Sequence, residues 1–192
     1  MSWHKPFDIE LGAFRRMAEV RTRVLTLFLA ASLPLFLSGC FISEQPKLSL
    51  ATAAAPFGEG GRYGVFERGD GNQYRRQEAF VVKRRPDGAY DFTNEKGEAI
   101  EISFHPMGGD RFLSQAKAEK DQPGYGYAVF RFAGNEAFLY APQCSDQDKA
   151  KMEALGVEVN GQFECVIEGV KDAIGLFGFV DLGEPVSKMV RE

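Results

Sequence analysis

The apolar residues of this chain recur in two ways. Near the N-terminus they are contiguous: Val24 to Leu37 is an apolar run of 14 residues with Pro34 inside it. From Gly61 onward they come in short runs, some alternating with polar residues. Turn signals separate these runs at intervals of roughly 10–14 residues, close to the rhythm of an all-β chain. The runs predict strands at Arg62–Phe66, Glu78–Lys83, Tyr90–Phe92, Ile100–Phe104, Arg111–Ala116, Tyr125–Phe132 and Glu136–Ala141. The breaks between them hold turn formers: Pro86-Asp87-Gly88, Asn94 to Gly97, Gly108-Gly109-Asp110, Pro123-Gly124 and Ala133-Gly134-Asn135. Period two sends successive side chains to opposite faces of a strand. Ile100–Phe104 therefore has one apolar and one polar face. Tyr125–Phe132 is apolar on both faces near its middle, which predicts a central strand covered on both sides.

Beyond Ala141 the pattern changes. Ser145 reads as an N-cap for a helix over Asp146–Leu155, with Gly156 as its stop. A hairpin is expected about Asn160-Gly161. A second helix over Glu168–Val180 places Val170, Ile174 and Phe177 on one face, although Gly175 and Gly178 weaken it. The predicted fold is mainly β (α+β): an antiparallel up-and-down meander or small barrel with two covering helices. The expected organisation is a signal peptide over residues 1–39, a flexible tether over 40–61, a β-rich globular domain over 62–181 and a loose tail over 182–192. The tether expectation rests on the Ala, Ser, Pro and Gly content of that stretch.

The apolar run at the N-terminus is too short for a spanning helix, which needs about 20 apolar residues, or 17 at the short end. With Arg21 and Arg23 ahead of it and Ser38-Gly39 behind, it fits the core of a signal peptide. Leu37-Ser38-Gly39-Cys40 then resembles the lipobox of bacterial lipoproteins. The resemblance covers residues 17–40. It implies that the Cys40 thiol receives a diacylglyceryl group, that cleavage falls before Cys40, and that the new amino group is acylated as well. Asp8 and Glu10 are unusual ahead of a signal core, which suggests a translation start at Met17. Phe41 follows the cysteine where an Asp would favour inner-membrane retention. The implied location is the outer membrane, lipid-anchored, facing the periplasm.

Cysteine usage follows from that resemblance. Of three cysteines, two remain once Cys40 carries lipid: Cys144 and Cys165. An oxidising periplasm permits their pairing as a disulfide, and two free thiols are the alternative. Charge adds a second constraint. The chain has 23 basic and 27 acidic residues; five basic and three acidic ones precede Cys40, leaving 18 and 24, a balance of −6, from Cys40 onward. Such a body is repelled by anionic surfaces. No nucleic-acid partner is expected, and membrane contact is expected through the anchor on Cys40. An envelope protein is the other partner class.

Candidate chemistry in the body is sparse. His105 is the one histidine after Cys40 and could pair with the Cys144 thiol; an ordinary strand-end histidine is the simpler reading. No spacing suggests a metal site, no cofactor motif occurs, and no catalytic residues are assigned. Lys83-Arg84-Arg85, with Arg75 and Arg76 upstream, could form a local basic patch or simply a solvated turn. Tyr125 and Tyr127, beside Gly124 and Gly126, are the candidate ligand-binding residues: at a barrel mouth they could hold a small amphipathic molecule. A packed core with hydroxyls bonded at its edge is the alternative for them. The functional expectation is a lipid-anchored envelope lipoprotein, not an enzyme, with a structural or protein-interaction role. A carrier resembling the calycin barrels in architecture is the alternative.

Overall fold

The computed structural model describes residues 41–69, 71, 73–117, 124–161 and 164–192. The expected signal peptide and Cys40 lie outside the described residues. Among the described residues eleven strands form the framework: β1 (Phe41–Ser43), β2 (Gly60–Arg68), β3 (Tyr74–Arg84), β4 (Tyr90–Asn94), β5 (Ala99–Gly108), β6 (Arg111–Lys117), β7 (Tyr125–Ala133), β8 (Glu136–Tyr140), β9 (Glu158–Asn160), β10 (Glu164–Val166) and β11 (Ser187–Arg191). Each of the seven strands expected between residues 62 and 141 is present, mostly longer than its apolar run.

Strands β2 to β8 run up and down as an antiparallel meander, and β11 closes it by pairing with β8 on one side and β2 on the other. The result is an eight-stranded closed antiparallel barrel. Closure removes the exposed edges that a meander would otherwise leave. Gly97 (φ 83°) and Gly134 (φ 64°) occupy left-handed positions in two of the tight turns, a conformation that costs glycine little.

Aromatic side chains fill one end of the barrel. Tyr63, Phe80, Tyr90, Phe92, Phe104 and Phe130 are all buried. Phe57, from the segment leading into β2, inserts among them. Its ring lies 4.9–5.7 Å from those of Tyr63, Tyr90, Phe92, Phe104 and Phe132, tilted or edge-on in each pair. Edge-to-face contact at these separations adds to the stabilisation from burial itself.

A second core lies outside the barrel wall. Leu113 of β6 and Tyr127 and Val129 of β7 turn outward and pack with Phe41, Cys144, Met152, Cys165, Ile167 and Phe177. Strand β7 is thus covered on both faces, in agreement with its doubly apolar pattern. The covering layer is mostly strand and loop. Its helices are two short segments, α1 (Lys149–Ala154) and α2 (Ala173–Phe177). Asp148 rather than Ser145 caps α1, accepting a hydrogen bond from the Lys151 amide, and the residues before it form a 3-10 turn at Cys144–Asp146. The second helix is shorter than expected: Asp172 caps it, accepting from the Gly175 amide, and it ends at Gly178. The expected hairpin is present, with Asn160 opposite Glu164.

Two boundaries differ from expectation. The segment assigned as a tether is built into the fold from Phe41 onward: β1 pairs parallel with β10 and antiparallel with β7. Phe41 is fully buried, and Leu48 and Phe57 nearly so. Three large apolar anchors outweigh the flexible composition around them. The expected tail contains β11, whose Met189 is fully buried in the barrel. That strand is held by its pairing with β2 and β8 rather than by a pattern of its own.

Candidate functional site

The polar residues singled out in the sequence gather on the outer wall of the barrel, beneath the strap formed by residues 41–57. Period two decides this. Phe130 and Phe132 of β7 face the lumen, so Tyr127 and Tyr125 face outward. The Tyr127 hydroxyl lies 2.7 Å from Ser43 Oγ and donates to Gln115 Oε1 at 3.1 Å. It also accepts from the Lys47 amide at 3.1 Å. Gln115 Oε1 accepts from the amides of Lys47 and Leu48 at 2.8 and 3.0 Å, and its Nε2 donates to the Leu48 carbonyl at 3.2 Å. Two buried side chains therefore fasten the strap to β6 and β7. Burial raises the Tyr127 pKa above its ordinary value, so the phenol stays protonated.

His105 serves the same strap further along. It is fully buried on the outer face of β5, with Nδ1 3.2 Å from Thr52 Oγ1 and Nε2 3.0 Å from Ser103 Oγ. Burial lowers its pKa, favouring the neutral ring. The possible thiol–imidazole pair is excluded, because Cys144 has no free thiol: it is bonded to Cys165, with Cα atoms 5.6 Å apart. That disulfide joins the 3-10 turn after β8 to β10 and sits inside the second core.

Tyr125 is half-buried at the rim of a depression of about 310 Å³ between the strap and the wall, lined also by Leu48, Leu50, Ser103, Gln115 and Lys117. Tyr127 is not among its lining residues. A second depression, about 300 Å³, lies at the barrel end beside Phe57, Tyr63, Phe132 and Arg191. Among the described residues no group of three or more His, Cys, Asp or Glu side chains could hold a metal ion. No helix among them is long and apolar enough to cross a membrane.

The arginines of the expected basic patch are largely paired. Arg85 bridges Asp87, Asp91 and Glu101 at 2.9, 3.3 and 3.0 Å. Arg84 reaches Glu59 at 3.5 Å, and Arg76 is held by Glu192, which also binds Arg62. The strap is not legible in the sequence because its hydrogen-bonding partners on the barrel lie more than 50 residues away in the chain. Its large apolar residues, Phe41, Leu48 and Phe57, were the available signal.

No family model, curated protein or solved structure matches this chain. The functional reading therefore rests on its own residues and geometry.

Proposed function

We propose that this protein is a bacterial envelope lipoprotein, anchored by lipid on Cys40 at the periplasmic face of the outer membrane, whose folded body has a non-catalytic structural or protein-interaction role. The observation that carries this reading is the lipobox-like motif at Cys40, followed at once by a buried, paired residue. The residue directly after the lipobox-like Leu37-Ser38-Gly39-Cys40 is Phe41, the first residue of β1 and fully buried. The chain is already paired into the sheet at the residue that follows the implied lipidation site. The Cys144–Cys165 disulfide suits an oxidising compartment. The buried polar groups that could do chemistry, His105, Gln115 and Tyr127, are engaged in holding the strap, which favours a structural role for them.

Metabolic labelling with an alkyne palmitate tests the anchor. The proposal expects a labelled band in the membrane fraction that disappears with Cys40→Ser. An unlabelled wild-type band would contradict it.

A carrier of a small amphipathic ligand is the second reading. The closed eight-stranded barrel and the depression rimmed by Tyr125 favour it; the aromatic filling around Phe57 weighs against it. Saturable uptake of an environment-sensitive fluorescent fatty acid, weakened by Tyr125→Ala, would support the carrier. Uptake indifferent to Tyr125 would dismiss that depression as its site.

A further inference from the structure

Six residues from six neighbouring strands stand directly opposite one another in a row around the outer wall of the barrel. Arg76 of β3 faces Phe66 of β2, and Phe66 faces Lys188 of β11. Lys188 faces Phe138 of β8, Phe138 faces Arg131 of β7, and Arg131 faces Arg111 of β6. The two phenylalanines are half-buried, and Arg76, Arg131 and Arg111 are exposed. Arg76 and Lys188 have carboxylate partners, Glu192 and Glu136. Arg131 and Arg111 have no ion pair among the described residues. The Arg131 guanidinium lies over the Phe138 ring, 5.2 Å from its centroid.

The Arg111–Arg131 pair is unfavourable as it stands. Like charges directly opposite on adjacent strands repel, and the repulsion is relieved when an anion sits between them. Two cations beside the half-buried Phe138 ring match the membrane–water interface, where rings sit at headgroup depth and cations meet lipid phosphates.

The chain's point of attachment selects that occupant. Strands β8 and β1 share one edge of β7: β8 takes Val129 to Ala133, and β1 takes Tyr125 and Gly126. Because β1 is antiparallel to β7, its first residue, Phe41, points toward Tyr140, which pairs with Val129 at the end of β8. The backbone therefore joins the fold beside Tyr140, on the wall that carries Phe138 and Arg131. Cys40 is one peptide bond away, about 3.8 Å between Cα atoms. No slack separates a lipid on that residue from the barrel.

From this we infer that the part of the wall bearing Arg111, Arg131 and Phe138, beyond the covering layer, lies against the phospholipid surface, with the two arginines on headgroup phosphates. The inference rests on the anchor at Cys40. It gives the body a fixed orientation, side-on to the bilayer, and turns the opposite wall, with Val81, toward the periplasm. The acidic remainder of the body reinforces this by repulsion from the same phosphates.

The test uses the lipidated protein reconstituted in phosphatidylethanolamine–phosphatidylglycerol vesicles containing brominated acyl chains. Trp3 is the chain's one tryptophan and precedes Cys40, so cleavage leaves a body into which single tryptophans can be placed. Fluorescence of Phe138→Trp should be quenched by the bromolipid and that of Val81→Trp should not. Adding Arg111→Glu and Arg131→Glu should abolish the difference. A readout without substitutions in the wall runs beside it: phenylglyoxal should modify Arg111 and Arg131 in the Cys40→Ser chain and spare them in the lipidated chain on vesicles, while Arg84 reacts in both. Equal quenching at both positions, or equal modification of the two arginines, with lipid mass present on Cys40, overturns the orientation and leaves the anchor standing. Absence of lipid mass on Cys40 overturns both.

Discussion

His105 shows how one buried side chain sets a pH limit on the fold. Its ring contacts two neutral hydroxyls, those of Thr52 and Ser103, and no carboxylate offsets the cost of charging it in place. Burial holds its folded pKa below the ordinary 6.5. The unfolded chain then binds more protons between the two values, so stability is fully present above about 6.5 and declines as pH falls toward the folded value. Urea titrations at stepped pH should show that decline, and His105→Gln should flatten this part of the slope; an unchanged slope would contradict the assignment. Tyr127 is the second residue-scale case. Its hydroxyl has three partners across the strap, so Tyr127→Phe removes one hydroxyl and leaves buried groups short of a partner. Such a deletion costs about 1–3 kcal/mol, measurable as a lower urea midpoint.

At the scale of elements, what could be read from the sequence tracks the distance over which each element is stabilised. The seven strands of the meander are specified locally, by alternation and by turns such as Pro86-Asp87-Gly88, and all were legible. So was the Asn160-Gly161 hairpin. Strands β1 and β11 were not, because neither is stabilised by its own sequence pattern. Phe41–Ser43 is three residues long and exists through pairing with β7 and β10. Ser187–Arg191 is stabilised by β2 and β8, strands more than 40 residues away. The second helix was overestimated for the opposite reason: its apolar spacing is helical, but two glycines and the local cap at Asp172 leave only Ala173–Phe177. The candidate site divides the same way. The pairing of Cys144 with Cys165 was one of two readings implied once the lipobox resemblance set Cys40 aside, whereas the outward direction of Tyr125 and Tyr127 depended on which face of β7 lines the lumen. The disulfide closes 20 intervening residues, Ser145 to Glu164, for which chain-entropy reasoning gives about 3 kcal/mol. The double variant Cys144→Ser/Cys165→Ser should lose stability of that order in urea, and a loss near zero would show that the covering layer holds without it.

Taken whole, the molecule is a closed barrel with one wall buried under a strap and a disulfide-linked layer. Among the described residues, the strap from Phe41 and strand β11 complete it, β11 closing the gap between β2 and β8. Deleting residues 187–192 should therefore open the barrel between β2 and β8 and expose both edges. Thermal unfolding followed by circular dichroism should lose its cooperative transition; a truncated chain that melts like the intact one would contradict the role of β11. The central functional claim also belongs to this scale, since it joins the folded body to the envelope. Intact-mass spectrometry of the membrane-extracted protein tests it most directly. A chain beginning at residue 40, heavier than its amino-acid sequence by a diacylglyceryl group and a further acyl chain, is the predicted result. A mass corresponding to an unmodified polypeptide, wherever it starts, would contradict the account.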